Sequence, residues 1–381
     1  MNGDIRDISL YFHIPFCTKK CDYCHFYVLP DKAPYHEQLM EGLILDLDHW
    51  AAELRNKRLV SIYFGGGTPS LLGAAPLSQL LKKIQSIIPF EHEQLEITLE
   101  ANPETITKDL MQSYADVGVN RVSIGIQSLD NQLLIKLGRT HHAATAIKAV
   151  ETTAKTGISN ISIDLMYDIP GQSLVAWQQT LAAIKGLPIT HLSLYNLTIE
   201  PNTVFFKYRE ALQKELPDAD CSTQMYLEAV QQLNENGLIQ YEISAFARDN
   251  KYSRHNVGYW TGRPFLGFGP SAFSYWEGKR FRAVANLNQY VKALKEKKSP
   301  VDFTEELPLI KHQRELLAIG LRLCAGVDLE AFEAVHGKLD QETVATLQRL
   351  RCEGLLKKND TTFALTERGM LFYDTVASDV I

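Results

Sequence analysis

The first half of this chain alternates short apolar runs with longer amphipathic stretches, and that alternation restricts the available folds more than any other feature. Apolar runs bounded by turn residues predict strands at 9–13, 61–64, 95–100, 121–125, 162–166 and 191–197. Between them, apolar residues recurring at three and four predict helices over 35–55, 77–88, 108–117, 143–156 and 175–185. Successive parallel strands need a long crossover, and a helix fills it. The expected fold class is therefore α/β, built from six parallel β/α units that form either an open layer or a partial barrel. In both cases ligands collect at the C-terminal ends of the strands. The polar residues gather there: Gly65-Gly66-Gly67-Thr68-Pro69 after the second strand, Glu100 at the end of the third, Gln127 after the fourth, and Asp168 with Pro170-Gly171 after the fifth.

The remainder of the chain divides in two. Residues 200–290 carry a helix over about 221–236 and aromatic, glycine-rich loops, and are expected to extend the sheet. The charged stretch KALKEKKSPVDFTEELP (292–308) reads as a surface linker, which predicts domains at 1–300 and 301–381. The tail pattern of helix, helix, hairpin at LLKKNDTTFALT (355–366) and a last helix predicts a small winged-helix-like domain. With a net charge of -6 and no basic face on the tail, nucleic acid is excluded as the expected partner. No run approaches the roughly 20 apolar residues that span a bilayer, so any membrane contact is expected to be peripheral. The start, with Asp4 and Asp7 and no long apolar core, predicts a cytoplasmic protein without a secretory signal.

Six cysteines in a reducing compartment serve as ligands or nucleophiles, not disulfides. Cys221, Cys324 and Cys352 are scattered and are expected to be packing residues. Cys17, Cys21 and Cys24 form C-x3-C-x2-C in a loop just after the first strand, flanked by Lys19 and Lys20, whose charge is expected to favour the thiolates. Three thiolates on one loop hold three irons of a cubane and leave the fourth iron open to another ligand. Two other readings use the same residues: a zinc site completed by His25 or His13, and the C-x2-C-H motif of c-type heme at Cys21 to His25.

Tyr11-x-His13-Ile-Pro-Phe-Cys17, the cysteine loop and Gly-Gly-Gly-Thr-Pro together resemble the radical SAM superfamily. LEANPE (99–104), NRVSIGIQSLD (120–130), LGRTH (137–141), DLMYDIPGQ (164–172), HLSLYNLTIEPNT (191–203) and RHNVGYW (254–260) narrow this. Nearly the whole chain resembles the oxygen-independent coproporphyrinogen III oxidase-like group. True oxidases of that group carry a fourth cysteine two positions beyond the third, where this chain has Phe26. Phe26 and His255-Asn256-x-x-Tyr259-Trp260 resemble the heme chaperone (HemW) branch instead, although His25 stands where that branch more often carries Asp.

The resemblance implies a three-quarter parallel β/α barrel. It implies a 4Fe-4S cluster on Cys17, Cys21 and Cys24, S-adenosylmethionine (SAM) on the open iron, and heme as a third ligand. Gly66, Gly67 and Thr68 match positions that meet the methionine end of SAM. Glu100 and Asp164 match acidic positions for ribose or cationic groups, and Gln127 and Arg139 match polar contacts. Tyr11 and Tyr23 match positions near the cluster and adenine, and His255 is the candidate axial ligand of heme, with Tyr259 and Trp260 as aromatic walls. The implied partners are heme and heme-acceptor proteins such as respiratory enzymes, with a homodimer contact at an exposed cluster edge. The alternative function is a radical SAM enzyme acting on porphyrins, by coproporphyrinogen III decarboxylation or anaerobic heme ring opening. A DNA-binding regulator with a cluster sensor is the non-enzymatic alternative.

Overall fold

The computed structural model describes residues 7–92 and 94–381. Six parallel strands follow one another as expected: β1 (Asp7–Ile14), β2 (Arg58–Gly66), β3 (Glu96–Ala101), β4 (Arg121–Gln127), β5 (Asn160–Tyr167) and β6 (His191–Asn196). Each pairs in parallel with the next. Helices α1 (Ala33–His49), α2 (Ala74–Ile87), α3 (Lys108–Asp116), α4 (Ala143–Thr153) and α5 (Leu174–Ile184) supply the crossovers. Two of them start where a side chain satisfies an orphan amide. Thr107 accepts from the Leu110 N–H, and Ser173 from that of Ala176.

Side-chain alternation decides which way each strand faces. In β1 the residues Ile8, Leu10, Phe12 and Ile14 are fully buried against the helices, and Phe12 stacks on Phe64 and Phe268 at 5.1 and 5.0 Å. The alternate residues of these strands turn to the other side: Ser9, Tyr11 and His13 from β1, Ser61 and Tyr63 from β2, Glu100 from β3, Asp164 from β5. Side chains from β3, β4, β5 and β6 line one cavity, so the sheet curls around that face as a partial barrel.

Later strands extend both edges. β8 (Ala245–Ala247) pairs antiparallel with β6, and β7 (Ile239–Glu242) pairs antiparallel with β8 at the sheet edge. On the other side β9 (Phe265–Phe268) pairs in parallel with β1, followed by β10 (Phe273–Trp276), β11 (Lys279–Ala283) and β12 (Val301–Glu306). The order is β12-β11-β10-β9-β1-β2-β3-β4-β5-β6-β8-β7. The stretch 292–308 is thus not a free linker. Its beginning ends helix α6 (Leu287–Lys295) and its middle is β12, whose Asp302 and Glu305 pair with Arg282 and Arg280 of β11.

A second core forms around Leu317, Leu321, Leu347, Leu350, Phe363 and Val376. It contains helix α7 (Leu309–Gly320), β13 (Val327–Asp328), α8 (Leu329–His336), α9 (Gln341–Cys352), and the hairpin of β14 (Leu356–Asn359) and β15 (Thr362–Leu365). This is the helix, strand, helix, helix, hairpin order of a winged helix. Arg322 fixes it to the barrel: its guanidinium stacks on Trp260 and Tyr373 and sits 3.3 Å from the buried Glu242 carboxylate.

Candidate functional site

The cysteine loop begins where β1 ends and is tied down on every side. Phe16–Cys17 pairs with Leu29–Pro30, and the Leu29 N–H donates to the Pro15 carbonyl at 2.6 Å. The Asp22 N–H donates to the Leu137 carbonyl, and the Asp22 carbonyl accepts from the Phe205 N–H at 3.0 Å. The glycine segment lies directly beneath. The Gly67 N–H donates to the Ile14 carbonyl and that of Thr68 to the Phe16 carbonyl, at 2.9 and 2.7 Å. Only glycine fits at 67, because a Cβ would lie 2.6 Å from the Phe16 carbonyl oxygen. Gly66 has φ of +112°, a conformation glycine tolerates.

Cys17, Cys21 and Cys24 border a cavity of about 380 Å³, within the range of roughly 300–1,000 Å³ that takes cofactor-sized ligands. Gly66, Gly67, Glu100, Gln127, Arg139, Asp164 and Tyr23 border it too. Among the described residues no three Cys, His, Asp or Glu side chains converge on a single point for one ion. The three cysteines share one cavity wall, where three thiolates can each bind a different iron of a cubane.

Burial sets the electrostatics. It pushes the Cys17 thiol up to about 11 and raises that of Cys24, outweighing the influence of Lys20 on Cys24. Lys20 does favour the Cys24 thiolate, as expected, but burial is the larger influence, so iron binding displaces the proton. Arg139 is half-buried and donates to the Cys21 Sγ at 3.4 Å, to Asn102 Oδ1 at 2.9 Å and to the Gly125 carbonyl at 2.6 Å. Its Nε is buried without a hydrogen-bond partner. Glu100 accepts from the Tyr63 hydroxyl at 2.8 Å and the Gly66 N–H at 3.1 Å, yet burial lifts its carboxyl to about 7. Asp164 accepts from Ser123 at 3.2 Å and is raised to about 6, again chiefly by burial. Gln127 holds φ at +67° beside a register shift in β4, a strain that sets a non-glycine residue at the cavity edge.

Three expected site residues stand elsewhere. Thr68 is buried and its hydroxyl donates to the Cys17 Sγ at 3.6 Å, so its side chain supports the cysteine loop and does not line the cavity. Tyr11 lies deeper in the barrel, hydrogen-bonded to His13 and stacked on Tyr63. His255 is 1% exposed on the short helix Arg254–Trp260. Its Nδ1 bonds the Ser61 hydroxyl at 2.9 Å and its Nε2 the Tyr259 hydroxyl at 2.8 Å, so both ring nitrogens are engaged. Tyr259 and Trp260 border a separate cavity of about 160 Å³, below the usual size for a ligand pocket. The axial-ligand expectation for His255 therefore finds no support in this geometry. Asn102, which bridges Thr68 and Arg139, was not singled out from the sequence, although it lies inside the LEANPE segment two residues beyond Glu100.

Residues 11–184 match the Radical SAM superfamily, and residues 307–372 match the HemN C-terminal domain. The chain is 31% identical over 369 residues to the heme chaperone HemW of Bacillus subtilis, covering 97% of both chains. It is 34% identical over 377 residues to the heme chaperone HemW of Haemophilus influenzae, covering 96% of this chain and 95% of that one. The chain belongs to the HemW family of radical SAM proteins. In Danio rerio, the mitochondrial radical S-adenosyl methionine domain-containing protein 1 is 31% identical, with 98% of this chain and 87% of that one covered. The fold matches coproporphyrinogen III oxidase (HemN) from Escherichia coli with a TM-score of 0.85 at 22% identity, covering 98% of this chain and 90% of that one. Membership in the radical SAM superfamily implies a 4Fe-4S cluster and SAM. The cavity fits both: three cysteines and the Gly66-Gly67 backbone stand on its wall, and the Arg139 guanidinium, one of whose nitrogens is buried without a partner, lies beside them. Among the described residues no helix is long and apolar enough to cross a membrane.

Proposed function

We propose that this protein is a heme chaperone that binds heme and delivers it to acceptor proteins. End-to-end similarity to relatives named heme chaperone HemW carries this reading, since it spans the barrel and the small domain alike. Phe26 favours it over the oxidase alternative, because an exposed phenyl ring occupies the position where the resemblance leads one to expect an oxidase cysteine. Cys17, Cys21 and Cys24 would hold the cluster. Bound there, cluster and SAM supply one-electron chemistry.

The remaining roles belong to the chain's own groups. The Gly66-Gly67 backbone borders the cavity and meets the methionine end of SAM there. Arg139 lines the cavity and brings its positive charge to a carboxylate there while its terminal nitrogens hold Cys21 and Asn102. Glu100 and Asp164 accept from hydroxyl or ammonium groups, which draws both carboxyls to their ionised forms. Tyr23 and Gln127 close the wall. Thiols that must stay reduced until iron arrives suit a reducing compartment, so we assign delivery to the cytoplasm, with heme-dependent respiratory enzymes as acceptors and the cluster edge as the place for a homodimer contact.

The test is an anaerobic incubation of cluster-loaded protein with SAM and a reductant, separately with heme plus a heme-free acceptor and with coproporphyrinogen III. Heme appearing in the acceptor while coproporphyrinogen stays intact supports the reading. Protoporphyrinogen formed together with 5'-deoxyadenosine would overturn it in favour of the oxidase.

A further inference from the structure

A chaperone must hold heme where an acceptor can reach it, and a histidine sealed in the barrel core with both nitrogens bonded cannot do so. The mouth of the cofactor cavity offers another imidazole. His25 directly follows Cys24, is exposed, and borders the cavity. Among the described residues its ring contacts Phe26 at a centroid distance of 4.6 Å and makes no hydrogen bond. Phe26 is 51% exposed, an apolar surface beside an imidazole at the lip of the cavity. Lys19 and Lys20 are exposed on the same lip, and the Lys20 ammonium donates to the Phe26 carbonyl, folding the loop back on itself.

An imidazole with an available nitrogen, an apolar ring and two cations match an iron porphyrin bearing carboxylates. We propose that His25 is the axial ligand of heme, resting on the chaperone reading above. The porphyrin face lies on Phe26, and its carboxylates meet Lys19 and Lys20. The bond is a dative one from an imidazole nitrogen to iron, so no electron is transferred and no thioether forms. Cys21 and Cys24 complete a C-x2-C-H sequence with His25, but they are committed to the cluster, so the heme stays extractable. One protein ligand on an exposed loop leaves the far side of the iron open to the acceptor's own ligand, which is what release by ligand exchange requires.

The experiment titrates ferric heme and, separately, metal-free protoporphyrin IX into the cluster-loaded protein and its His25→Ala variant. Binding is followed by fluorescence quenching, and ligation by electron paramagnetic resonance and resonance Raman of the heme. His25→Ala is expected to weaken ferric heme at least tenfold and to abolish the imidazole-ligated signature. Added imidazole should restore that signature, and metal-free porphyrin should bind both forms alike. Acid–acetone should extract all the heme from the wild type. Wild-type affinity and spectra in the variant would overturn the assignment while leaving the chaperone reading standing. Loss of heme that imidazole does not rescue, or that coincides with loss of the cluster, would also overturn it. A wild type that binds no ferric heme would refute both.

Discussion

Gly67→Ala tests whether the glycine segment holds the cysteine loop in position. A Cβ at 67 would sit 2.6 Å from the Phe16 carbonyl oxygen and 2.8 Å from the Pro15 carbonyl carbon, both backbone atoms. Ordinary contact begins near 3.4 Å, so the loop must retreat by about 0.8 Å. Retreat strains two hydrogen bonds that tie the strands to the loop, from the Gly67 N–H to the Ile14 carbonyl and from the Thr68 N–H to the Phe16 carbonyl. It also carries Cys17, the next residue, off the cavity wall. Overpacking of this kind costs about 1–3 kcal/mol, and a functional constellation tolerates displacement of only about 0.5 Å. The cluster should suffer more than the fold. After anaerobic reconstitution, iron and sulfide per chain should fall to less than half the wild-type content, while the unloaded variant still unfolds in a single transition. Full cluster content with unchanged SAM affinity would refute the claim that this contact positions Cys17.

Three further outcomes follow from the geometry. Glu100 sits above its unfolded value of 4.5, at about 7, so the stability linked to its protonated form is fully present below pH 4.5 and is lost as pH rises through 7. Glu100→Gln should raise the melting point of the unloaded protein at pH 8 by the equivalent of roughly 2 kcal/mol, allowing for water in the cavity, yet weaken SAM by about tenfold or more. An equal gain at pH 5 would contradict the linkage. Arg322→Ala leaves Glu242 buried without its partner and frees the faces of Trp260 and Tyr373. It should cost about 3 kcal/mol and expose the 306–309 junction to protease, and an unchanged digestion pattern would show that the clamp is not what joins the domains. His255→Ala strips partners from the Ser61 and Tyr259 hydroxyls and should cost about 2–4 kcal/mol in denaturant unfolding without altering SAM affinity. A variant of wild-type stability would mean that His255 is not the core residue its contacts make it.

Much of this protein is written locally. Six strands and their crossover helices could be read because inward and outward residues alternate at periods that survive without knowledge of any partner. The cysteine loop was equally legible, since three ligands within eight residues need no tertiary contact to come together. The Gly65-Gly66-Gly67 run could be placed after the second strand from the sequence, while its role came from the family resemblance. Pairings across long separations were hidden. Nothing near Phe265 says that β9 joins β1 in parallel, and the charges of 301–306 suited a linker as well as an edge strand facing Arg280 and Arg282.

What tertiary structure alone decided is the direction in which each chemically capable side chain points. His255 and His25 are the same residue type beside aromatic neighbours in the sequence. Yet one is locked between Ser61 and Tyr259 inside the barrel, and the other stands exposed at its mouth. Thr68 belongs to the glycine segment but turns to Cys17, and Arg139 reaches Cys21 across more than a hundred residues. Spacing fixes which groups can meet within a loop or along a strand. Whether a nitrogen or hydroxyl is already bonded, or still available to a ligand, depends on residues distant in the chain, and only the folded barrel brings those into place.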